Sequence, residues 1–226
     1  MKACHVSTWG DERKYLPYFL KSAARVGLEP QNADAEVWPG ADWREIPWHR
    51  KTKAQLEFVR KHGRDVDVYL FTDSYDIICA AGWEEILRKF EALESPIVFG
   101  AESYPWPKTE QAPLYPETPH RCKYLNAGMW MGTADAARAF LEDISVIAEK
   151  REQCDQGICV DAFLQQRHPI KLDTACSLLF CMNINSPDFL DVSGARPRTK
   201  DTDEEPVFFH GNGNSNLMPV VECLRL

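Results

Sequence analysis

The sequence lacks an apolar run long enough to span a membrane, which requires about 20 residues, and this excludes a transmembrane helix. No apolar segment follows Met1 and Lys2, so we expect no secretory signal and a soluble, cytoplasmic protein without a membrane partner. Basic charge is also in deficit, with 26 Lys and Arg against 34 Asp and Glu. Because nucleic-acid binding needs a basic face, no nucleic-acid partner is expected.

The sequence contains no Cys-x-x-Cys pair, although it has eight cysteines. Their spacings, such as Cys154 to Cys159, differ from those of common zinc sites, and we expect scattered reduced thiols. There is also no Gly/Ser-rich linker, low-complexity block or internal repeat. The sequence therefore predicts a single domain over residues 1–226.

Short apolar runs alternate with segments of helical period, which is typical of an α/β sheet domain. A long Pro-rich and aromatic segment without period, Glu102–Cys122, predicts an ordered functional loop. The predicted strands are Ala3–Thr8, Val66–Phe71, Ile97–Gly100, Asn126–Met131 and, as an edge strand opened by proline, Pro206–Phe209. The predicted helices are Lys14–Val26, Thr52–His62, Glu84–Leu93, Asp135–Lys150 and Asp155–Gln166.

Two carboxylates, Asp73 and Asp76, follow directly after the predicted strand Val66–Phe71. Strands of α/β sheets deliver such residues to the crevice at their carboxyl ends, where these folds bind ligands. Two hard oxygen ligands suit Mg²⁺ or Mn²⁺ carrying a diphosphate. The alternative is a turn or helix cap, because Asp and Ser favour both.

A second polar loop, His210–Asn214, follows the predicted strand near the end of the sequence. Glycines let backbone N–H groups approach a ligand, and an imidazole can complete the coordination of a metal. The same residues could form a hairpin turn, since Asn-Gly is a strong turn dipeptide. Together with Asp73 and Asp76, His210 would complete a diphosphate site.

Four further side chains are candidates for the site, and each could instead have only a structural or surface role. Tyr75 could stack on a base or pack into the core, and Trp106 could cover a sugar site or pin its loop. Lys51 could meet a phosphate or be a solvated surface charge. Asp155 could act at the site or cap the helix that it begins.

Taken together, these motifs resemble the glycosyltransferase domain of the procollagen lysyl hydroxylases, a GT-A-type nucleotide-sugar transferase. The resemblance covers nearly the whole chain. It implies an α/β, Rossmann-like GT-A domain with a mixed central sheet flanked by helices. The segments that carry it are Phe71–Ile78, Ala101–Pro107, Lys123–Gly128 and Pro206–Gly213.

The resemblance also assigns roles to individual residues. Asp73, Asp76 and His210 would bind Mn²⁺, or Mg²⁺, together with the diphosphate of a UDP-sugar. Tyr75 would stack on uracil, and Trp106 would contact the sugar. The remaining implied contacts are Val6 and Thr8 to the nucleoside, Lys51 to the phosphates, and Asn212 and Gly213 to the diphosphate.

The implied reaction moves a hexose from UDP-glucose or UDP-galactose to a hydroxyl acceptor on a protein or saccharide. Asp155 is the expected residue on the acceptor side. The family has Asp-Asp-Gln there, whereas this chain has Cys154, Asp155 and Gln156. Because no accessory or hydroxylase domains follow, we expect a free-standing enzyme of bacterial, phage or viral source. A non-catalytic nucleotide-sugar or glycan binding module and a metal-dependent UDP-sugar hydrolase remain alternatives.

Overall fold

The computed structural model describes residues 1–10, 15–34, 50–63, 65–150, 154–182 and 188–226. Lys14, part of the first predicted helix, and Gln153, beside the departure at Cys154, lie outside these ranges. The helices are α1 Leu16–Arg25, α2 Arg50–His62, α3 Trp83–Ala92, α4 Ala134–Lys150, α5 Asp155–Leu164 and α6 Met218–Cys223. None of the helices described is both long enough and apolar enough to cross a membrane.

Eleven strands occur in the described residues, and nine of them form one mixed sheet. Its order is β2-β1-β3-β6-β5-β8-β11-β4, with β7 beside β5, while β9 and β10 pair separately. The strands are β1 Ala3–Ser7, β2 Gln31–Asn32, β3 Val68–Thr72, β4 Ile77–Cys79, β5 Ile97–Glu102, β6 Tyr124–Thr133, β7 Ile170–Asp173, β8 Leu179–Cys181, β9 Leu190–Asp191, β10 Arg198–Thr199 and β11 Phe208–His210.

The sheet is parallel except for β6 and β4. The carboxyl ends of β1, β3, β5, β8 and β11 therefore lie along one edge, the arrangement in which α/β sheets bind ligands. Each strand predicted from the sequence is present, with ends shifted by a few residues. Alternating side chains of the strands face two layers of helices, as a period of two requires.

One strand prediction was wrong. The segment that begins at Pro206 does not form an edge strand, because β11 lies between β8 and β4 and pairs with both. Pro206 precedes the first paired residue, Phe208, so its missing N–H group is not needed by the ladder. The loop after β11 is a short 3₁₀ helix, Asn212–Asn214, leading to α6, and not a hairpin turn.

The pairing of β5 with β6 is interrupted next to the carboxyl edge. Phe99 pairs with Trp130, but the next residue, Gly100, pairs with Asn126, so three residues of β6 have no partner on β5. These residues follow β3 instead, where the N–H of Asp73 donates to the carbonyl of Gly128 at 2.8 Å. The irregularity brings the segment Asn126–Gly128 to the ligand-binding edge.

An aromatic stack forms the centre of the larger core. The ring of Trp130 lies 4.1 Å from that of Phe71 and 5.4 Å from that of Phe99, and both pairs are stacked. Phe140 of α4 packs edge-on against Trp130 at 5.3 Å. These contacts join β3, β6, β5 and α4 below the site.

We predict that Trp130→Ala lowers the free energy of unfolding by about 3–5 kcal/mol, because it leaves a cavity among buried rings. Urea denaturation measures this change. Val146→Ala is the matched control on α4, since Val146 is 52% exposed and its truncation should cost less than about 0.5 kcal/mol. Equal, small losses for both variants would contradict a central role for the stack.

Candidate active site

Residues from the ends of several parallel strands line a cavity of about 470 Å³ at the carboxyl edge of the sheet. Asp73 follows β3, Glu102 ends β5, and His210 ends β11. This volume is in the usual range for a small-molecule site. Four carboxylates line the cavity, namely those of Asp73, Asp76, Glu102 and Asp155.

Asp73, Asp76 and His210 form the one group of three potential metal ligands found among the described residues. Their ligand atoms all lie within 4.8 Å of one another. His210 Nε2 is 3.5 Å from Asp73 Oδ2 and 3.3 Å from Asp76 Oδ2. The two aspartates lie on the turn between β3 and β4. A position on a turn therefore does not prevent their carboxylates from facing His210.

The imidazole of His210 is oriented by Asn126. Its Nδ1 lies 3.0 Å from Asn126 Oδ1, which also accepts from the N–H of Gly128 at 2.9 Å. The amide nitrogen of Asn126 donates to Glu102, which assigns the amide oxygen to the His210 side. Nδ1 therefore carries the proton in the neutral ring, and the Nε2 lone pair faces the carboxylates, as in metal-bound histidines.

The electrostatic environment of His210 favours positive charge. Burial opposes the charged ring, but the carboxylates of Asp76 and Asp73 outweigh it and raise the pKa of His210. The same histidine lies against Gly128, where an added Cβ would come within 2.1 Å of His210 Cε1. Glycine at this position therefore provides the space for the ring.

Lys51, in the first turn of α2, directs its ammonium group at the same carboxylates. Nζ lies 2.5 Å from Asp73 Oδ1, 3.1 Å from Asp155 Oδ2 and 3.2 Å from the carbonyl of Ala127. Burial disfavours the charged amine, but Asp73 and Asp155 outweigh this effect and raise the pKa of Lys51. The amine therefore stays protonated between two acidic groups.

Glu102 connects most of the polar groups around the cavity. The residue is 3% exposed, and its carboxylate accepts hydrogen bonds from the side-chain amides of Asn126, Gln156 and Asn212 at 3.0, 2.7 and 2.9 Å. Burial raises the pKa of Glu102, and the amide donors oppose that shift. Gln156 also donates to the carbonyl of Trp106 at 2.8 Å, which ties the aromatic loop to the same carboxylate.

The cavity brings together most of the residues predicted from the sequence. Trp106 is 46% exposed. Asp155 begins α5, where its Oδ1 accepts from the N–H of Gln156 at 2.9 Å. Gly213 has a φ of 66°, which glycine adopts without strain. The predicted residues that line the cavity are Lys51, Asp73, Asp76, Trp106, Asp155, His210, Asn212 and Gly213.

Three predicted residues, Val6, Thr8 and Tyr75, do not line this cavity. Val6 is 0% exposed and packs in the core. The carbonyl of Thr8 accepts from the hydroxyl of Ser74 at 2.7 Å, and the hydroxyl of Tyr75 accepts from the N–H of Gly10 at 2.7 Å. The end of β1 is thus fastened to the turn that carries the two aspartates.

Several residues that line the cavity were not predicted from the sequence, and one of them, Glu102, could have been. Glu102 stands two residues beyond the predicted strand Ile97–Gly100, as Asp73 stands two residues beyond Phe71. Tyr104, 50% exposed in the same loop as Trp106, carried no comparable signal. The missed lining residues are Glu102, Tyr104, Asn126, Ala127, Gly128, Gln156 and Asn214.

Cys154 replaces an expected carboxylate and occupies the N-cap position of α5. Its sulfur accepts a hydrogen bond from the N–H of Gly157 at 3.4 Å. Burial raises the pKa of this thiol, so it remains neutral at the start of the helix. The side chain of Asp155 thus supplies the negative charge at this helix end.

Among solved structures, the chain is similar to a glycosyltransferase involved in the glycosylation of the major capsid of PBCV-1. The TM-score is 0.57 at 11% sequence identity, and the match covers 100% of both chains. At this identity the likeness concerns the fold alone. The predicted GT-A-like α/β fold with a mixed central sheet is confirmed.

Sequence relatives extend over most of this chain. It is 28% identical over 212 residues to human procollagen-lysine,2-oxoglutarate 5-dioxygenase 2, covering 91% of this chain and 27% of that protein. Identity to the human multifunctional procollagen lysine hydroxylase and glycosyltransferase LH3 is 27% over 206 residues, covering 88% and 28%. Uncharacterized protein R699 of Acanthamoeba polyphaga mimivirus is 33% identical over 152 residues, covering 66% and 32%.

The chain thus spans about a third or less of the length of these relatives. The family model for the PLOD GT domain, which describes a glycosyltransferase domain, matches residues 10–219. This range includes the two aspartates, His210 and the buried carboxylate of Glu102. The resemblance seen in the sequence is therefore confirmed, and the chain belongs to the family of PLOD glycosyltransferase domains.

Proposed function

We propose that this domain transfers a hexose from a UDP-sugar, UDP-glucose or UDP-galactose, to a hydroxyl acceptor, and that it uses Mn²⁺ or Mg²⁺. The observation that carries the proposal is the Asp73–Asp76–His210 group in the cavity of a PLOD glycosyltransferase domain. One relative, human LH3, is by its name a multifunctional procollagen lysine hydroxylase and glycosyltransferase. We accordingly propose hydroxylysine-containing peptides and saccharides as acceptors.

The donor set fits a hard or borderline divalent cation. Two carboxylates and one imidazole nitrogen offer three ligand atoms, leaving positions for phosphate oxygens and water. Asn126 holds the His210 ring with Nε2 toward Asp73 and Asp76. A cation bound there would neutralise the negative charge that develops on the departing UDP.

The other residues of the cavity orient the two substrates. Asn212 is fixed by its bond to Glu102, and Gly213 offers backbone without a side chain, which suits a diphosphate. The exposed ring of Trp106 would cover the sugar, and its loop is held by Gln156. Asp155 would orient the acceptor hydroxyl, because positioning of reactants supplies much of the rate in such a transfer.

We propose that the nucleoside lies beyond the cavity, along the end of β1. Thr8 and Tyr75 are fastened there by Ser74 and Gly10, and the Tyr75 ring is half-buried. Uracil would stack on that ring, as the family resemblance implies. Because Val6 is fully buried, it would act through its backbone or as the floor of this site.

UDP release tests the reaction class. We expect release from UDP-glucose or UDP-galactose that requires Mn²⁺ and increases when a hydroxylysine peptide, a galactosylated hydroxylysine peptide or a free hexose is added. Acceptor-independent release would indicate a hydrolase instead. UDP binding without release from either donor, with every acceptor, would indicate a binding module.

We predict that Asp73→Ala and Asp76→Ala each weaken Mn²⁺-dependent UDP binding by about 10- to 100-fold or more. Losses of this size are typical even for residues that only hydrogen-bond to a metal ligand. Isothermal titration calorimetry measures the affinity, and thermal unfolding checks the fold. Glu91→Ala, an exposed carboxylate of α3, is the control and should leave the affinity unchanged. Unchanged UDP affinity and metal dependence in either aspartate variant would show that the pair forms a turn and does not bind a metal.

Gly128→Ala should weaken Mn²⁺ binding by about 10-fold or more, although Gly128 offers no ligand atom. The added Cβ would come within 2.1 Å of the His210 ring and displace it. Gly194→Ala is the matched control, because its Cβ would meet only the carbonyl of Arg196 at 3.5 Å. Equal Mn²⁺ affinities for the two folded variants would show that His210 is not held at the metal.

A further inference from the structure

The ammonium group of Lys51 has a full set of acceptors inside the protein. A lysine ammonium has three N–H donors, and three oxygens lie within 3.2 Å of Nζ, those of Asp73, Asp155 and Ala127. The side chains of Lys51 and Asp155 are each only 19% exposed. No N–H group is therefore left over for a phosphate oxygen while these contacts hold.

We propose that Lys51 is a positioning residue, a salt bridge that fixes the metal-side carboxylate of Asp73 relative to the acceptor-side carboxylate of Asp155. This role differs from the phosphate contact implied by the family resemblance. Asp73 follows β3 and Asp155 begins α5, so the bridge joins two elements that are far apart in the sequence. The inference rests on the proposed metal role of Asp73.

Each carboxylate in the bridge uses its two oxygens for different purposes. Asp73 Oδ1 contacts Lys51, whereas Oδ2 faces His210 Nε2 at 3.5 Å. Asp155 Oδ2 contacts Lys51, whereas Oδ1 accepts from the N–H of Gln156. The bridge and a cation at the Asp73–Asp76–His210 group can therefore be present together.

The bridge makes the two carboxylates interdependent. The ammonium group of Lys51 is shared between Asp73 and Asp155. If one carboxylate is removed, the ammonium group interacts more strongly with the other. A fully charged ammonium held by Asp73 alone would compete more strongly with a divalent cation for that carboxylate. Asp155 should therefore influence metal binding although it is not in the metal-ligand group.

A double-mutant cycle tests this interdependence, with Mn²⁺ alone as the probe and no nucleotide. Mn²⁺ affinity is measured by calorimetry for the unaltered protein, Asp155→Asn, Lys51→Met and the double variant. Asp155→Asn should lower the Mn²⁺ affinity both with Lys51 and with Met at position 51. We expect the loss to be at least about 3-fold larger with Lys51. Lys51→Gln serves as a second variant if Lys51→Met does not fold.

Lys108 and Asp161 provide a matched control pair. Lys108 Nζ lies 2.5 Å from Asp161 Oδ1, and the two side chains are 18% and 13% exposed. Asp161 is also on α5, but neither residue lines the cavity. The cycle of Lys108→Met with Asp161→Asn should therefore show additive, small effects on Mn²⁺ affinity.

The results distinguish failure of the proposed salt bridge from failure of the proposed function. Mn²⁺ binding with a non-additive Lys51–Asp155 cycle and an additive control cycle supports the bridge. Mn²⁺ binding with additive effects in both cycles overturns the bridge and leaves the metal site intact. If the unaltered protein does not bind Mn²⁺, the proposed metal-dependent function is overturned, and the inference that rests on it is overturned too.

Discussion

The acceptor capacity of one buried carboxylate, that of Glu102, determines how the site is arranged. A buried carboxylate must be hydrogen-bonded, and here three side-chain amides meet this need. Asn126 in turn orients His210, Gln156 holds the loop of Trp106, and Asn212 begins the short 3₁₀ helix after β11. The amides are thereby fixed before any ligand arrives, which lowers the entropic cost of binding.

Features set by local sequence could be predicted. The turn after Val66–Phe71 could be recognised because an apolar run that ends in two carboxylates is a local pattern. His210 could be recognised for the same reason, since it ends an apolar run and precedes glycine. The order of strands and helices also followed from periodicity, and the family resemblance added the fold. The assignment of Asp73, Asp76 and His210 as metal ligands stays a prediction, as does the single domain over residues 1–226.

Features set by pairing between distant segments could not be predicted. The three amide partners of Glu102 come from three different parts of the chain, and no local pattern shows that they meet at one carboxylate. The interior position of β11 depends on β8 and β4, whereas the sequence showed only that Pro206 precedes it. Gly128 became significant only when the irregular pairing of β6 brought it under the His210 ring.

The interior position of β11 also has a consequence for folding. This strand carries His210 and joins β8 to β4, and its own segment is among the last in the sequence. Pairing between segments that are far apart in the sequence is slow, because the long intervening loop must close first. The group of Asp73, Asp76 and His210 therefore depends on the pairing of β11 with β8 and β4. A ligand bound by Asp73 after β3 and by His210 of β11 would connect strands that are separated in the sheet by β6, β5 and β8. It would therefore stabilise the native state of the sheet over the unfolded chain, rather than one loop.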